Sequence, residues 1–178
     1  MNNPLQSKIL ERLRDVPDFP KEGIIFKDIT PMLLDCQLMG EVTDALCNIC
    51  SQHKVTKIAG IEARGFIFGS MVSLRGQIPF LPIRKAGKLP WKTKKISYSL
   101  EYGESTIEMH EDAVCNSDRV VIVDDLLATG GTTKAACELI TSLGASVVLS
   151  AFVLELGFLS GRAVLEPIAP VVSLVTIQ

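Results

Sequence analysis

The chain has 178 residues, 47% of them apolar and 21% charged, with 18 Lys and Arg set against 20 Asp and Glu for a net charge of −2. A domain of about 150 residues is typical, so this length suits one domain, 1–178, rather than two. About 70% of its surface would be buried on folding, and the composition excludes disordered and fibrous classes. The near-neutral balance offers no global attraction to nucleic acid or to an anionic membrane, so any polyanion must meet a local patch.

In chain order, Asn3 followed by Pro4 is a helix start, and Leu5, Ile9, Leu13 and Val16 recur at helical spacing, which predicts a short amphipathic helix over 4–15. Lys8, Glu11 and Arg12 fall where a signal peptide needs its apolar segment. The longest apolar stretch, Val147 to Leu154 broken by Ser150, is far short of the ~20 residues that span a bilayer. Cys36, Cys47, Cys50, Cys115 and Cys137 form an odd set without regular spacing, as expected of reduced thiols, so a cytoplasmic protein is expected. Residues 17–23 are too rich in proline for regular structure, and 24–31 reads as a loop with apolar content. Leu38, Val42, Ala45, Leu46 and Ile49 line one face of a second helix, about 37–52.

Beyond this point short apolar runs alternate with helical pieces, the pattern of parallel strands joined by crossovers. Strands are expected at 57–61, at 78–83 with Pro79 and Pro82 limiting its pairing, at 119–124 and at 146–154, with an edge strand at 171–177. Helices are expected at 66–74 and 133–143, the latter ended by Gly144. Residues 97–102 and 106–110 flank Gly103 with alternating Tyr98, Leu100 and Tyr102, then Ile107 and Met109, and predict an antiparallel hairpin. The fold class is therefore α/β, a central, mostly parallel sheet flanked by helices. No repeat, low-complexity tract or linker interrupts it.

Three segments carry chemistry. In VVIVDDLLATGGT, 120–132, β-branched residues run into two carboxylates and then a small, Gly-rich turn that opens a helix. Asp124 and Asp125 fall at the carboxyl end of a central strand, where open α/β sheets place their ligand crevice. Carboxylates there accept hydrogen bonds from sugar hydroxyls. Ala128, Thr129, Gly130, Gly131 and Thr132 turn backbone N–H groups and two hydroxyls toward an anion at a helix N-terminus. The spacing fits neither GxxxxGK[ST] nor GxGxxG. A lone DD or GG more often only caps or permits a turn, but here every feature coincides.

The second segment, 84–95 (RKAGKLPWKTKK), holds six basic residues and no acidic one. Such runs are often just solvated faces. Interrupted by Gly87 and Pro90 and joining a strand to a hairpin, this one also suits a lid carrying cations to a departing polyanion. The third, GIEARGFIFG at 60–69, brings Arg64 and backbone N–H groups to a strand end and a helix start, which suits an anion. Taken alone, Arg64 could equally pair with Glu62 or cap a neighbouring element. Cys47, Cys50 and His53 sit on one helix without a second ligand pair and read as packing and surface residues. His110 reads as structural, and Trp91 either covers a site or anchors its loop.

The segment 120–132 resembles the phosphoribosyl-diphosphate motif of the type I phosphoribosyltransferases. With FPKEGIIFKDITP, IRKAGKLP, YSLEYGESTIEMHEDA and ELGFLSGR, the chain from about Val16 to Arg162 resembles the adenine phosphoribosyltransferase family. That resemblance implies the type I phosphoribosyltransferase fold, with a small hood from about 1–35 and a flexible lid at about 85–110. It implies transfer of phosphoribosyl from phosphoribosyl diphosphate to adenine, giving AMP and diphosphate, with Mg²⁺ held mainly by substrate and a homodimer as the assembly.

By the same resemblance, Asp124 and Asp125 face the ribose hydroxyls and residues 128–132 hold the 5′-phosphate. Phe26 stacks on adenine, the backbones of Ile25 and Lys27 meet the base edge, and Leu126 contacts the base. Glu101 is the acid/base and Tyr102 helps close the lid. Ala63, Arg64, Arg84, Lys85 and Lys88 bind diphosphate, with Arg84 reaching the neighbouring subunit. Glu22, where the family commonly has proline, loosens the base loop, and Lys27 stands where arginine is frequent. A phosphoribosyltransferase for hypoxanthine, guanine or xanthine, and a non-catalytic regulator that senses phosphoribosyl diphosphate, are the alternatives.

Overall fold

The computed structural model describes residues 4–99 and 104–178. Helix α1 (Pro4–Glu11) begins at its proline and buries Ile9. It is shorter than the expected 4–15, because from Arg14 the chain is extended. Strand β1 (Arg14–Pro17) pairs antiparallel with β2 (Ile25–Asp28), which lies in the stretch expected as a loop. The reason is cross-strand charge matching. Arg14 stands opposite Asp28 and Asp15 opposite Lys27, and both pairs close as ion pairs, at 3.6 and 2.7 Å.

Helix α2 (Thr30–Leu33) leads to α3 (Cys36–Ser51), where the Asp35 carboxylate caps the first turn by accepting from the Leu38 N–H at 3.1 Å. The face carrying Leu38, Val42 and Leu46 is buried, as the periodicity requires. Cys50 lies among these residues and burial pushes its thiol up to about 12, an inert packing role.

The remaining chain builds a seven-stranded sheet. Its strands are β3 (Lys57–Ile61), β4 (Phe80–Lys85), β5 (Thr93–Ser99), β6 (Glu104–His110), β7 (Arg119–Leu127), β8 (Ser146–Leu156) and β9 (Val171–Ile177), in the order β5-β6-β4-β3-β7-β8-β9. Strands β4, β3, β7, β8 and β9 run parallel, and β5–β6 is an antiparallel hairpin on the β4 edge. The expected strands 57–61 and 171–177 match; β4 begins two residues later than 78–83. Pro82 lies inside β4 opposite Gly60, and the β4–β6 ladder starts only at Arg84, past the position where proline has no N–H to give.

Helix α4 (Gly65–Gly76) connects β3 to β4, and α5 (Gly131–Ser142) connects β7 to β8. Val120 to Val123 are fully buried between the two helical layers. Each such side chain contributes about 1.5–3 kcal/mol relative to exposure. A 3₁₀ turn (Gly157–Leu159) and short helix α6 (Gly161–Leu165), absent from the sequence expectation, follow β8. No helix among the described residues is long and apolar enough to cross a membrane.

At the amino ends of the central strands, Asp118 locks the sheet. Its carboxylate accepts from the Cys115 N–H and the Thr56 hydroxyl, both at 2.8 Å, and meets Lys57 Nζ at 3.2 Å. Burial alone would raise this carboxyl, but those donors outweigh it and hold it at about 2, below the ordinary 3.8. A depressed carboxyl stabilises the fold above its unfolded value and loses that contribution as pH falls through the folded one, here worth roughly 2 kcal/mol. Asp118→Asn should cost about that much in urea denaturation at neutral pH, with the gap to the parent closing between about pH 4 and pH 2. A gap independent of pH would contradict the assignment.

Candidate active site

From β3 the chain passes to β4 on one side of the sheet, whereas from β7 it passes to β8 and β9 on the other. Between β3 and β7 the crossovers diverge, and a crevice opens at their carboxyl ends. It is a cleft of about 360 Å³ lined by residues 61–64 and 124–133. The expected residues Ala63, Arg64, Asp124, Asp125, Leu126, Ala128, Thr129, Gly130, Gly131 and Thr132 all lie on its wall. The Glu62–Ala63 peptide is cis.

Strand β7 continues through Leu127, past the expected end at 124, so both carboxylates are held by sheet pairing. Asp124 Oδ1 accepts from the Asp125 N–H at 2.9 Å, and a Cβ on Gly65 would come within 2.9 Å of the same oxygen. Only glycine lets the start of α4 approach so closely. Asp125 is 3% exposed and its Oδ2 lies 2.8 Å from Arg64 Nε, a distance of ion pairing without hydrogen-bond alignment. Arg64 therefore pairs with Asp125 and not with Glu62. Burial raises both carboxyls above the ordinary value; the neighbouring Asp125 lifts Asp124 further, while Arg64 pulls Asp125 back.

The turn after β7 is shaped for an anion. Gly130 caps α5 at φ +80°, a left-handed conformation that puts glycine at little cost where other residues strain. The first turn of α5 then directs unpaired N–H groups at the cleft. Gly161, on the unforeseen helix α6, lies so close to the Ala128 carbonyl that no Cβ fits there. Arg162 seats that helix, donating to both Glu155 carboxylate oxygens at 2.9 and 2.6 Å and to the Val171 carbonyl at 2.7 Å. Tyr98 of β5 accepts from the Thr132 hydroxyl at 3.1 Å, bringing the hairpin against the turn.

Cations gather beside the cleft around Glu62, which lies on its wall, while Arg84, Lys85 and Lys88 themselves do not line it. Glu62 receives the Arg84 guanidinium at 3.2 and 3.4 Å, the Lys85 N–H at 3.2 Å and Lys88 Nζ at 3.8 Å. These partners, Arg84 first, keep its carboxyl below the ordinary range. The spacing of Glu62 before Arg64 was visible in the sequence; its partners, on and just after the adjacent strand β4, were not. Phe26 joins the cleft through Arg64, whose Cζ lies 5.5 Å from the ring centroid, and Phe19 packs edge-on against it at 5.2 Å. Ile25 and Lys27 are not drawn onto the cleft wall: Ile25 is 57% exposed and Lys27 Nζ reaches Asp15. Trp91 is 64% exposed. Glu101 and Tyr102 lie outside the described residues.

The phosphoribosyl transferase domain family model matches residues 32–178. A curated adenine phosphoribosyltransferase from Streptomyces clavuligerus is 52% identical over 167 residues, 94% of each chain. The crystal structure of adenine phosphoribosyltransferase from Thermoanaerobacter pseudethanolicus superposes with a TM-score of 0.93 at 45% identity, covering 97% of this chain and 99% of that one. The Saccharomyces cerevisiae adenine phosphoribosyltransferase, solved with an imino-altritol bisphosphate and adenine, gives 0.89 at 39% identity over 96% and 98%.

The raised carboxyls make a direct prediction. In a carbon-13 titration of the aspartate carboxyls, two resonances should titrate above the ordinary value of about 3.9. In Asp125→Asn the Asp124 resonance should move down, because its like-charged neighbour is gone. Two ordinary midpoints in the parent protein would refute the dry, coupled pair.

Proposed function

The chain belongs to the adenine phosphoribosyltransferases of the phosphoribosyl transferase domain family, and from that premise we propose that it transfers the 5-phosphoribosyl group from phosphoribosyl diphosphate to adenine, giving AMP and diphosphate. One observation carries the reading: a carboxylate pair and a glycine turn at the head of α5 share a single cleft at the switch point of the sheet. Sugar hydroxyls suit the carboxylates, and a phosphate monoester suits the N–H groups of 129–132.

The reaction forms the bond from adenine N9 to ribose C1′ and breaks the bond from C1′ to the diphosphate oxygen, while the N9 proton leaves for a base. Glu101 is our candidate for that base and Tyr102 for closing the site. Ala63, Arg64, Arg84, Lys85 and Lys88 are assigned to the leaving diphosphate; the convergence of Arg84 and Lys88 on Glu62 beside the cleft supports the assignment. Fixed cations stabilise charge that grows as the bond breaks. Phe26 is assigned to stack on adenine, with Leu126 and the backbones of Ile25 and Lys27 meeting the base; its contact with Arg64 at the cleft supports this. An acceptor for the 6-amino group and a donor for a ring nitrogen would be left unpaired by a 6-oxopurine, the source of discrimination.

Mg²⁺ fits the donor set. No three His, Cys, Asp or Glu side chains among the described residues gather as a metal cage, whereas Asp124 and Asp125 offer hard carboxylate oxygens on the cleft wall. Such a set suits an ion that keeps most of its ligands from substrate and water. When bound, it would neutralise diphosphate charge.

The assembly is proposed to be a homodimer of single phosphoribosyltransferase domains, with a hood at about 1–35, a lid at about 85–110, and Arg84 near the partner's site. Five unpaired cysteines are in keeping with a cytoplasmic protein.

Incubation with adenine, phosphoribosyl diphosphate and Mg²⁺ should yield AMP and diphosphate. Turnover of hypoxanthine, guanine or xanthine in place of adenine would overturn the base assignment. Glu101→Gln should lower kcat about 100-fold or more while phosphoribosyl diphosphate affinity stays within a few fold; unchanged turnover would remove it from the mechanism.

A further inference from the structure

Glu108 is a carboxylate that no step above uses, yet it is 1% exposed. A buried charge is tolerated only when it is paired and hydrogen-bonded. Its neighbours on β6, Ile107 and Met109, point into the core beneath α5, so strand alternation sends Glu108 to the opposite face. There it stands between Arg84 on β4 and Lys95 on β5, its Cα partners across the two ladders.

Among the described residues, the hydrogen bonds and the ion pair of its side chain all come from the basic segment. Oε1 accepts the N–H groups of Lys88 at 2.9 Å and Leu89 at 3.0 Å; Oε2 accepts the Thr93 hydroxyl at 3.1 Å and lies 3.4 Å from Lys95 Nζ. Burial pushes its carboxyl up, but these donors prevail and it sits below the ordinary value. On either side of the turn the backbone is tied to β6 and its end, by the Ala86 N–H to the Thr106 carbonyl and by the Glu111 N–H to the Lys92 carbonyl. Between those ties the chain has no ladder partners, and Glu108 supplies the anchor. The anchored turn in turn presents the Lys88 carbonyl to Arg84 Nη1 at 3.0 Å, while the Arg84 Nε donates to Glu62 at 3.2 Å.

We propose that Glu108 is a positioning residue for the diphosphate leaving group: by holding the Lys88 and Leu89 amides it fixes the turn that aims Lys88 and Arg84 at the cleft. The proposal rests on reading those cations as the diphosphate site. Backbone N–H groups given to a charged acceptor form hydrogen bonds about twice as strong as neutral ones, so one side chain can order a turn that otherwise carries only like charge.

Amide hydrogen–deuterium exchange on the unliganded chain reads the anchor without any reaction. Lys88 and Leu89 should exchange as slowly as the amides of β6; exchange at the rate of an unprotected peptide overturns the proposal. In steady-state kinetics Glu108→Ala should raise KM for phosphoribosyl diphosphate about tenfold and weaken diphosphate inhibition by a similar factor, with KM for adenine within about twofold. Glu108→Gln keeps the Oε1 acceptor and should recover most of the loss. Equal rises in both KM values, or equal defects in the Ala and Gln variants, overturn it. If AMP forms but these signatures are missing, the positioning role alone fails. If the parent protein makes no AMP from any purine, the functional reading fails, and the exchange result still tests the anchor.

Discussion

Two adjacent carboxylates cannot be placed in a dry cleft unless the surrounding chain holds them there. In this protein the long strand β7 does so, running through Asp124 and Asp125 to Leu127 while pairing with β8 on one side. Sheet hydrogen bonds position the backbone, the start of α4 presses on Asp124 through Gly65, and Arg64 offsets part of the charge at Asp125. The raised carboxyls are the electrostatic signature of that confinement. Perturbed titration at a cleft is a mark of functional sites because such an arrangement opposes stability and persists for another use.

Around this pair lie two different groups of donors that could take an anion. The turn 128–132 uses backbone N–H groups and the α5 dipole, geometry that α6 buttresses through Gly161 and the Arg162–Glu155 pair. The group made by Glu62 and the basic segment uses side-chain cations. A terminal phosphate that only needs binding suits the first; a group that departs while gaining charge suits the second, where strongly charged side chains are held in place beforehand by acidic partners. Two acidic residues organise the cations of this second group: Glu62 chiefly by side-chain ion pairs and Glu108 chiefly through the Lys88 and Leu89 amides.

Most of the sheet was legible in the sequence. Runs such as VVIVD have one reasonable home, a strand covered on both faces, and Gly144 marked a helix end that the structure keeps at a left-handed φ of +93°. The cleft residues were legible because the chemistry lay within two short segments, 60–69 and 120–132. What escaped was non-local. Leu13 and Val16 continued a helical period, but charge pairing with Lys27 and Asp28 drew the chain into a strand. The supports of the site, Glu62, Glu108, Tyr98 and Gly161, act on residues tens of positions away or in other elements, and a sequence read segment by segment carries no signal for them.

The claim on which the account turns is that a pentose phosphate lies over the end of β7 with its phosphate against the α5 turn. Titrating the isotope-labelled protein with ribose 5-phosphate and following backbone amide resonances tests it directly. The largest shifts should fall at Thr129 to Thr132 and at Asp124 and Asp125. Saturable shifts confined to other elements, with these amides unmoved, would contradict it.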